Sequence, residues 1–143
     1  MKVSDVMTRD VRMTNPDQTI QEAARIMAEI DSGCLPVAHG DGLVGMITDR
    51  DIAVRAVASG MGPDTSVAQV MSESVKYCYE DDDTGDVCQN LGELQVRRLP
   101  VLNRDKRLVG ILSLGDIALT DGDGSAGAAL SKISSQTGVA SRA

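Results

Sequence analysis

Two short stretches of this chain place a hydroxyl side chain three positions before an aspartate. Thr48 precedes Asp51 in Gly-Met-Ile-Thr-Asp-Arg-Asp, and Ser113 precedes Asp116 in Gly-Ile-Leu-Ser-Leu-Gly-Asp. A hydroxyl group donates to a phosphate oxygen, and a carboxylate accepts two hydrogen bonds from a vicinal diol such as a ribose. If each motif opens a helix, the free backbone amides there also attract an anion. This set of groups favours a nucleotide as the ligand.

The same spacing has a purely structural interpretation. In a helix-capping box, the hydroxyl oxygen accepts a hydrogen bond from the amide three residues later, and the carboxylate accepts one from the amide of the hydroxyl residue. Gly45 and Gly110, three residues before each hydroxyl, suit a place where backbone and ligand approach closely. The residues alone leave both interpretations, helix cap and ligand site, open.

The two motifs are copies within an internal repeat that covers most of the chain. Val-x-x-Val-Met occurs at residues 3–7 and 67–71, and Leu-Pro-Val at residues 35–37 and 99–101, both with an offset of 64 residues. The offset becomes 65 residues at the motifs themselves, because the second turn is one residue longer. We therefore expect one repeat over residues 1–62 and a second over residues 63–120. Residues 121–143 form a tail rich in Gly, Ser and Ala, with a short helix expected over residues 128–133.

Hydrophobic spacing predicts the same order of elements in both repeats. A short extended stretch comes first, and Thr19 with Glu22 then forms a capping-box pair that opens a helix. A hairpin follows at residues 34–48, and at residues 99–113 in the copy. A closing helix then runs from residue 49 to about residue 58, with a shorter counterpart over residues 114–120. Each repeat has the order β-α-β-β-α, so we expect an α/β (α+β) fold.

Apolar residues at helical spacing predict which side chains face the core. On the first helix of each repeat these are Ile20, Ala23, Ala24, Met27 and Ile30, and Thr84, Val87, Cys88, Leu91 and Leu94. On the first closing helix they are Ile52, Ala53, Ala56 and Val57. Cys88 is therefore expected to be a core residue rather than a reactive thiol.

Composition and charge argue against several classes of function. The 143 residues carry a net charge of −7 and include no Phe or Trp, so we expect no nucleic-acid partner. No apolar run of 18 residues exists, so we expect no membrane segment. The three cysteines, Cys34, Cys78 and Cys88, form no Cys-x-x-Cys pair, which favours thiols in a reducing cytoplasm and no metal site.

The sequence also argues against a catalyst. His39 is the only histidine and lies in a predicted turn, where no Cys or carboxylate is spaced to assist it. No residue pair has the spacing of a nucleophile and its base. We therefore expect a protein that is not an enzyme.

The doubled pattern resembles a CBS-domain pair, also called a Bateman module, in a stand-alone protein of bacterial type. The resemblance runs from about Val3 to Thr120, and the tail lies outside it. It rests on Val-x-x-Val-Met, the long first helix, Leu-Pro-Val and Gly-x-x-Thr/Ser-x-x-Asp, each present in both halves. It implies two tandem CBS repeats of β-α-β-β-α order, packed with pseudo-twofold symmetry.

The resemblance implies a ligand-sensing regulatory module that requires no cofactor. Such pairs bind adenosine-containing ligands (AMP, ADP, ATP or S-adenosylmethionine) in clefts between the repeats, and they commonly form homodimers. Ligand binding would change the conformation or the contacts with a target protein, which the sequence does not identify. The residues implied are Thr48 and Ser113 for phosphate, Asp51 and Asp116 for ribose, and, for adenine, Val11 and Pro36 in one cleft and Val75 and Pro100 in the other.

The two halves differ in the charges near these motifs. Arg50 lies within the first motif and Arg55 follows it, and neither has a cationic counterpart in the second. Arg98 precedes the second Leu-Pro-Val, where the first has Cys34. Guanidinium groups bind phosphate oxygens bidentately, so these three arginines are candidate phosphate contacts. We expect two sites of unequal affinity, or only one that is occupied.

A second interpretation keeps the fold without the ligand. Gly115 in the second motif, together with Gly85 and Gly92 in the helix before it, favours a constitutive protein-interaction or dimerisation module that no longer binds nucleotide. Partner capture that is indifferent to nucleotide would distinguish this module from a sensor.

Overall fold

Each sequence repeat contributes one long helix, one hairpin and a short closing helix to the computed structural model, which describes residues 1–94, 97–120, 127–129 and 133. The elements are α1 (Ile20–Ile30), β1 (Cys34–His39), β2 (Gly42–Thr48), α2 (Val67–Val70), β3 (Cys78–Tyr79), α3 (Thr84–Leu94), β4 (Arg98–Leu102), β5 (Leu108–Ser113) and α4 (Leu114–Thr120). A 3₁₀-helix over Val3–Asp5 begins the chain. The predicted α/β (α+β) class is confirmed.

Helix α1 begins at the predicted capping box. The amide of Glu22 donates to Thr19 Oγ1 at 3.1 Å, and Asp31 ends the helix in a left-handed conformation with φ 53°. Ala24 is exposed, contrary to the prediction, and Ile26 packs partly against the core instead. Because successive helical residues are about 100° apart, a buried stripe centred on Ala23 turns Ala24 away.

Helix α3 buries the predicted residues that the structure describes. Val87, Cys88 and Leu91 are almost fully inaccessible to solvent, and Thr84 is buried at the start of the helix. Cys88 is a core residue, as predicted. The prediction for the Leu94 side chain lies outside the described residues.

The two hairpins are extended by short N-terminal segments. In the first, β1 and β2 pair antiparallel with Pro36 opposite Met46, and Thr14 adds a parallel bridge to Val37. In the second, β3 pairs parallel with β4 in a sheet of order β3-β4-β5. Leu108, Gly110 and Leu112 of β5 are buried and alternate with half-buried residues, the pattern of a strand with one face on the core.

The first closing helix differs from the prediction in its winding. Residues 49–50 are helical, Asp51–Ala56 forms a π-helix and Val57–Ser59 a 3₁₀-helix. Ala56 is buried and Ile52 packs against the core, but Ala53 and Val57, both predicted to face inward, are exposed. The amide of Val57 bonds to the carbonyl of Ile52, five residues back, and this wider turn shifts later residues off the buried face.

The chain divides into two compact units that do not coincide with the sequence repeats. The first-hairpin unit comprises Arg12–Val75 and Lys106–Leu108, and the second-hairpin unit comprises Met1–Val11, Lys76–Asp105 and Val109–Ala143. Each has its own apolar core. The predicted repeat boundaries at residues 62 and 63 describe sequence similarity, whereas each unit includes the Val-x-x-Val-Met segment of the other repeat.

The tail contributes to the second-hairpin core. Residues 127–129 and 133 are helical, and Ala129 and Ile133 are buried in that core. The remainder of the helix predicted over residues 128–133 lies outside the described residues. No helix in the described part of the chain is long and apolar enough to span a membrane.

Candidate functional site

Thr48 and Asp51 hold each other at the end of β2. The amide of Thr48 donates to Asp51 Oδ2 at 3.0 Å, and the amide of Asp51 donates to Thr48 Oγ1 at 3.0 Å. Both residues are half-buried. Within the described residues no protein group donates to Asp51 Oδ1. The cap therefore uses one carboxylate oxygen and the acceptor side of the hydroxyl, which leaves Oδ1 and the hydroxyl proton for another partner.

Ser113 and Asp116 repeat this arrangement at the end of β5. The Ser113 amide donates to Asp116 Oδ2 at 3.1 Å, and the Asp116 amide donates to Ser113 Oγ at 3.0 Å. The predicted helix cap is thus present in both halves. A cap of this form does not consume the donor capacity of the hydroxyl, so the capping and ligand-binding interpretations are compatible.

Gly45 and Gly110, three residues before the hydroxyl of each cap, are packed against protein segments. A Cβ at position 45 would lie 2.7 Å from Met71 Sδ and 2.9 Å from the Ser72 carbonyl oxygen. A Cβ at position 110 would lie 2.5 Å from Met7 Sδ. A protein segment therefore makes the close approach at each glycine, and this packing alone requires a residue without a side chain.

Asp49 and Leu114 occupy equivalent places beside the two caps but differ in direction. The Asp49 amide donates to the Gly33 carbonyl at 2.9 Å, and the Leu114 amide donates to the Arg97 carbonyl at 3.0 Å. The Asp49 carboxylate lies over Gly33, whereas the Leu114 side chain belongs to the core. Gly33 stands where the second repeat has Arg97, and a residue without a side chain leaves room for the Asp49 carboxylate.

The three candidate phosphate arginines lie in different settings. Arg50 is exposed, and its amide donates to Asp49 Oδ1 at 2.8 Å. Arg98 is exposed at the first residue of β4. Arg55 donates through Nη1 to the carbonyl oxygens of Val70 and Met71, at 3.1 and 3.4 Å. Arg55 therefore already has main-chain partners.

The predicted adenine contacts fall into both units. Pro36 and Pro100 are buried within β1 and β4, and Val11 and Val75 are half-buried. Pro36 and Val75 belong to the unit that holds Thr48 and Asp51, while Val11 and Pro100 belong to the unit that holds Ser113 and Asp116. The predicted grouping of Val11 with Pro36, and of Val75 with Pro100, thus draws on residues of different units.

Outside the caps, Cys78 and Asp81 have shifted pKa values. Burial, together with the Asp82 carboxylate, raises the pKa of Cys78 to about 12. The Arg104 guanidinium lies 4.0 Å from the centre of the Tyr79 ring and pairs with Asp81, whose pKa its hydrogen bond lowers. Across the described residues no group of three or more His, Cys, Asp or Glu side chains is placed to hold a metal ion.

Known proteins share both the sequence pattern and the fold. The family model described as "CBS domain" matches twice, at residues 3–57 and 67–120. The chain is similar to the CBS domain-containing protein YhcV of Bacillus subtilis, with 42% identity over 135 residues that cover 94% of this chain and 96% of that protein.

Solved structures of CBS proteins have a similar fold. Hypoxic Response Protein I with two coordinated zinc ions has 34% identity and a TM-score of 0.77, over 84% of this chain and 98% of that one. The CBS domain pair of protein MJ0100 in complex with 5′-methylthioadenosine and S-adenosylmethionine has 27% identity and a TM-score of 0.74, over 85% and 96%. CBSX2 in complex with AMP has 26% identity and a TM-score of 0.72, over 82% and 93%. The chain belongs to the CBS domain family and carries two CBS repeats.

Proposed function

We propose that this chain is a regulatory module that binds adenosine-containing ligands at Thr48 with Asp51 and at Ser113 with Asp116. The observation that carries the proposal is the reciprocal cap, which holds a hydroxyl and a carboxylate side by side and half-exposed in both halves. Similar CBS structures hold AMP, or 5′-methylthioadenosine with S-adenosylmethionine, which supports adenosine as the common part of the ligand.

Each group in the proposed sites has a distinct role. The carboxylates of Asp51 and Asp116 accept hydrogen bonds from the two ribose hydroxyls, and the hydroxyls of Thr48 and Ser113 donate to phosphate. The adenine packs against apolar residues, for which the candidates are Val11, Pro36, Val75 and Pro100. No metal or other cofactor is required for this chemistry.

Charge near the caps supports sites of unequal preference. Asp49 adds a second carboxylate beside Asp51, while the equivalent Leu114 adds none. Arg97 and Arg98 are exposed beside the second cap. Coulomb repulsion from Asp49 disfavours a polyphosphate at the first site, and the arginines favour one at the second. Arg50 is the remaining candidate for phosphate at the first site.

Calorimetry and thermal unfolding with AMP, ADP, ATP and S-adenosylmethionine test the proposal. A ligand at 100 times its Kd raises the free energy of unfolding by ~2.7 kcal/mol. Asp51→Ala and Asp116→Ala, each alone and together, assign the sites, because each loses one carboxylate. If no adenosine ligand binds, the module is a constitutive interaction or dimerisation protein and the sensing function is wrong.

We infer that the module acts in the cytoplasm as a homodimer that contacts a target protein. Val54 and Val57, at 52% and 64% exposure, lie three residues apart on the first closing helix and offer an apolar surface to a second copy. Three cysteines without a Cys-x-x-Cys pair fit a reducing compartment. Light scattering after size exclusion measures the mass, which Val57→Asp shifts from dimer to monomer if this surface is used.

A further inference from the structure

Arg55 connects the helix that carries Asp51 to the beginning of the second repeat. Its Nη1 donates to the carbonyl oxygens of Val70 and Met71, the last residue of α2 and the residue after it. The last carbonyls of a helix have no intrahelical partner, and a cationic side chain there is favourable. Arg55 supplies that partner from 15 residues away along the chain.

The segment that Arg55 holds is packed against the first hairpin. Val67 and Val70 are fully buried in the core of the first-hairpin unit. Ser72 and Met46 exchange two backbone hydrogen bonds, at 2.8 and 2.9 Å. The strand β2 thus reaches the segment through Met46 and ends at Thr48, two residues later. Arg55 reaches the same segment from the helix that follows the Thr48–Asp51 cap.

The equivalent segment in the second-hairpin unit has a different, local arginine contact. There Arg9 Nη2 donates to the Ser4 carbonyl at 2.9 Å, five residues away, at the 3₁₀-helix Val3–Asp5. Thr120 is the residue that matches Arg55 in the repeat. An arginine thus donates to the Val-x-x-Val-Met segment in both units, but at different positions. The Ser4 carbonyl corresponds to that of Ala68, whereas Arg55 holds the carbonyls at the end of the segment. Only Arg55 makes this contact from the helix that carries the candidate ligand group.

We propose that Arg55 is a positioning residue that couples ligand binding at Thr48 and Asp51 to the seating of residues 67–75. The coupling rests on the proposed function, because it needs a ligand at that cap. Asp51 and Arg55 lie four residues apart on one π-helix, so a ligand that fixes the Asp51 carboxylate also fixes the stem of Arg55. The coupling is reciprocal. If the ligand stabilises the docked segment by a given factor, loss of the docked segment weakens ligand binding by the same factor.

This role differs from a direct phosphate contact in what it predicts. If Arg55 contacts phosphate, the Arg55→Ala variant binds AMP more weakly than the native chain does but binds adenosine equally well. If Arg55 is a positioning residue, the variant binds AMP and adenosine more weakly by the same factor, since both ligands use Asp51. Removal of Arg55 also alters the segment when no ligand is present, because its two carbonyl bonds are made without one.

Hydrogen exchange and calorimetry on the full chain test the coupling, with AMP and adenosine as probes. In the free protein, Arg55→Ala is expected to speed amide exchange of residues 67–75 by about five-fold or more, and to weaken AMP and adenosine equally by a similar factor. Arg55→Lys is expected to keep part of the exchange protection and part of the affinity, because its ammonium group can still donate to a carbonyl oxygen. AMP slows exchange of residues 67–75 in the native chain and has no such effect in Arg55→Ala.

Two controls separate the possible outcomes. Arg25→Ala removes an exposed arginine of α1 from the same unit and is expected to leave the segment's exchange unchanged. Arg9→Ala is expected to speed exchange near residues 3–7 and not at 67–75. Unchanged exchange in Arg55→Ala, or a loss confined to AMP, overturns the coupling while the proposed function stands. Failure of the native chain to bind either probe overturns both.

Discussion

Met71 lies against Gly45 so closely that position 45 has no room for a side chain. A Cβ atom at position 45 would lie 2.7 Å from Met71 Sδ and 2.9 Å from the Ser72 carbonyl oxygen. Met7 and the Thr8 carbonyl stand in the same relation to Gly110. A glycine in the middle of β2 and of β5 thus lets the Val-x-x-Val-Met segment of the other repeat dock on the strand.

Gly45→Ala and Gly110→Ala are each expected to lower the free energy of unfolding by about 1–3 kcal/mol, because the added methyl group displaces backbone as well as a thioether. Gly115→Ala is the matched control within the second motif. Its Cβ would be 3.6 Å from Ser113 Oγ, an ordinary contact, and alanine favours the helix by up to ~1 kcal/mol. Urea denaturation measures all three, and a Gly45→Ala variant as stable as the native chain contradicts the steric argument.

Substitution of Asp51 separates its two roles. Asn keeps an oxygen that accepts from the Thr48 amide, so Asp51→Asn is expected to cost less than ~1 kcal/mol of stability. It loses the second carboxylate oxygen and the charge, and we expect at least a ten-fold loss of AMP affinity, which is about 1.4 kcal/mol. Asp51→Ala loses both functions. Equal AMP affinity in Asp51→Asn and the native chain, measured by calorimetry, indicates that this carboxylate acts only as a cap.

Sequence reasoning located the elements that local chemistry determines. The Thr19–Glu22 box, the buried face of α3 and both Thr/Ser-x-x-Asp caps follow from residues within four positions of each other, and all are present. Met71 was not predicted as a neighbour of Gly45, because the two residues are far apart in sequence. Periodicity at 3.6 residues per turn also wrongly predicted that Val57 faces the core, because the residues of the closing helix do not indicate a π-helix.

The membership of the compact units was beyond the sequence for the same reason. A repeat shows which segments are equivalent, but not whether a segment docks on its own repeat or on the other copy. The two Val-x-x-Val-Met segments are nearly identical in pattern, so the sequence contains no preference between these alternatives. The structure gives each segment to the unit of the other repeat.

Stability is expected to fall at alkaline pH because Cys78 resists ionisation. Burial and the Asp82 carboxylate raise its pKa in the folded protein from 9.0 to about 12. Below pH 9 the Cys78 thiol stays protonated in the folded and the unfolded protein, so its ionisation does not lower the free energy of unfolding. Between about pH 9 and 12 only the unfolded chain loses the thiol proton, so the free energy of unfolding falls by ~1.4 kcal/mol per pH unit. Urea denaturation of Cys78→Ala is expected to show a shallower decline over pH 9–11, and parallel curves would contradict this.

Val3→Ala is expected to destabilise the second-hairpin unit although Val3 belongs to the first repeat. Val3 is fully buried in a core with Leu91, Val101 and Leu112, and truncation costs about 1–3 kcal/mol through lost burial and the cavity that remains. Hydrogen exchange resolved by peptide is expected to show the loss of protection at residues 76–94 and 97–113, because exchange reports local opening.

Val67→Ala is the matched variant, since Val67 holds the equivalent position and is fully buried in the first-hairpin core. Its loss of protection is expected at residues 20–48. If each truncation instead loosened the hairpin of its own repeat, the segments would dock within their repeats in solution. The two variants thus test directly whether each segment docks on the hairpin of the other repeat. The substitutions remove the same methyl groups and differ only in which hairpin the segment covers.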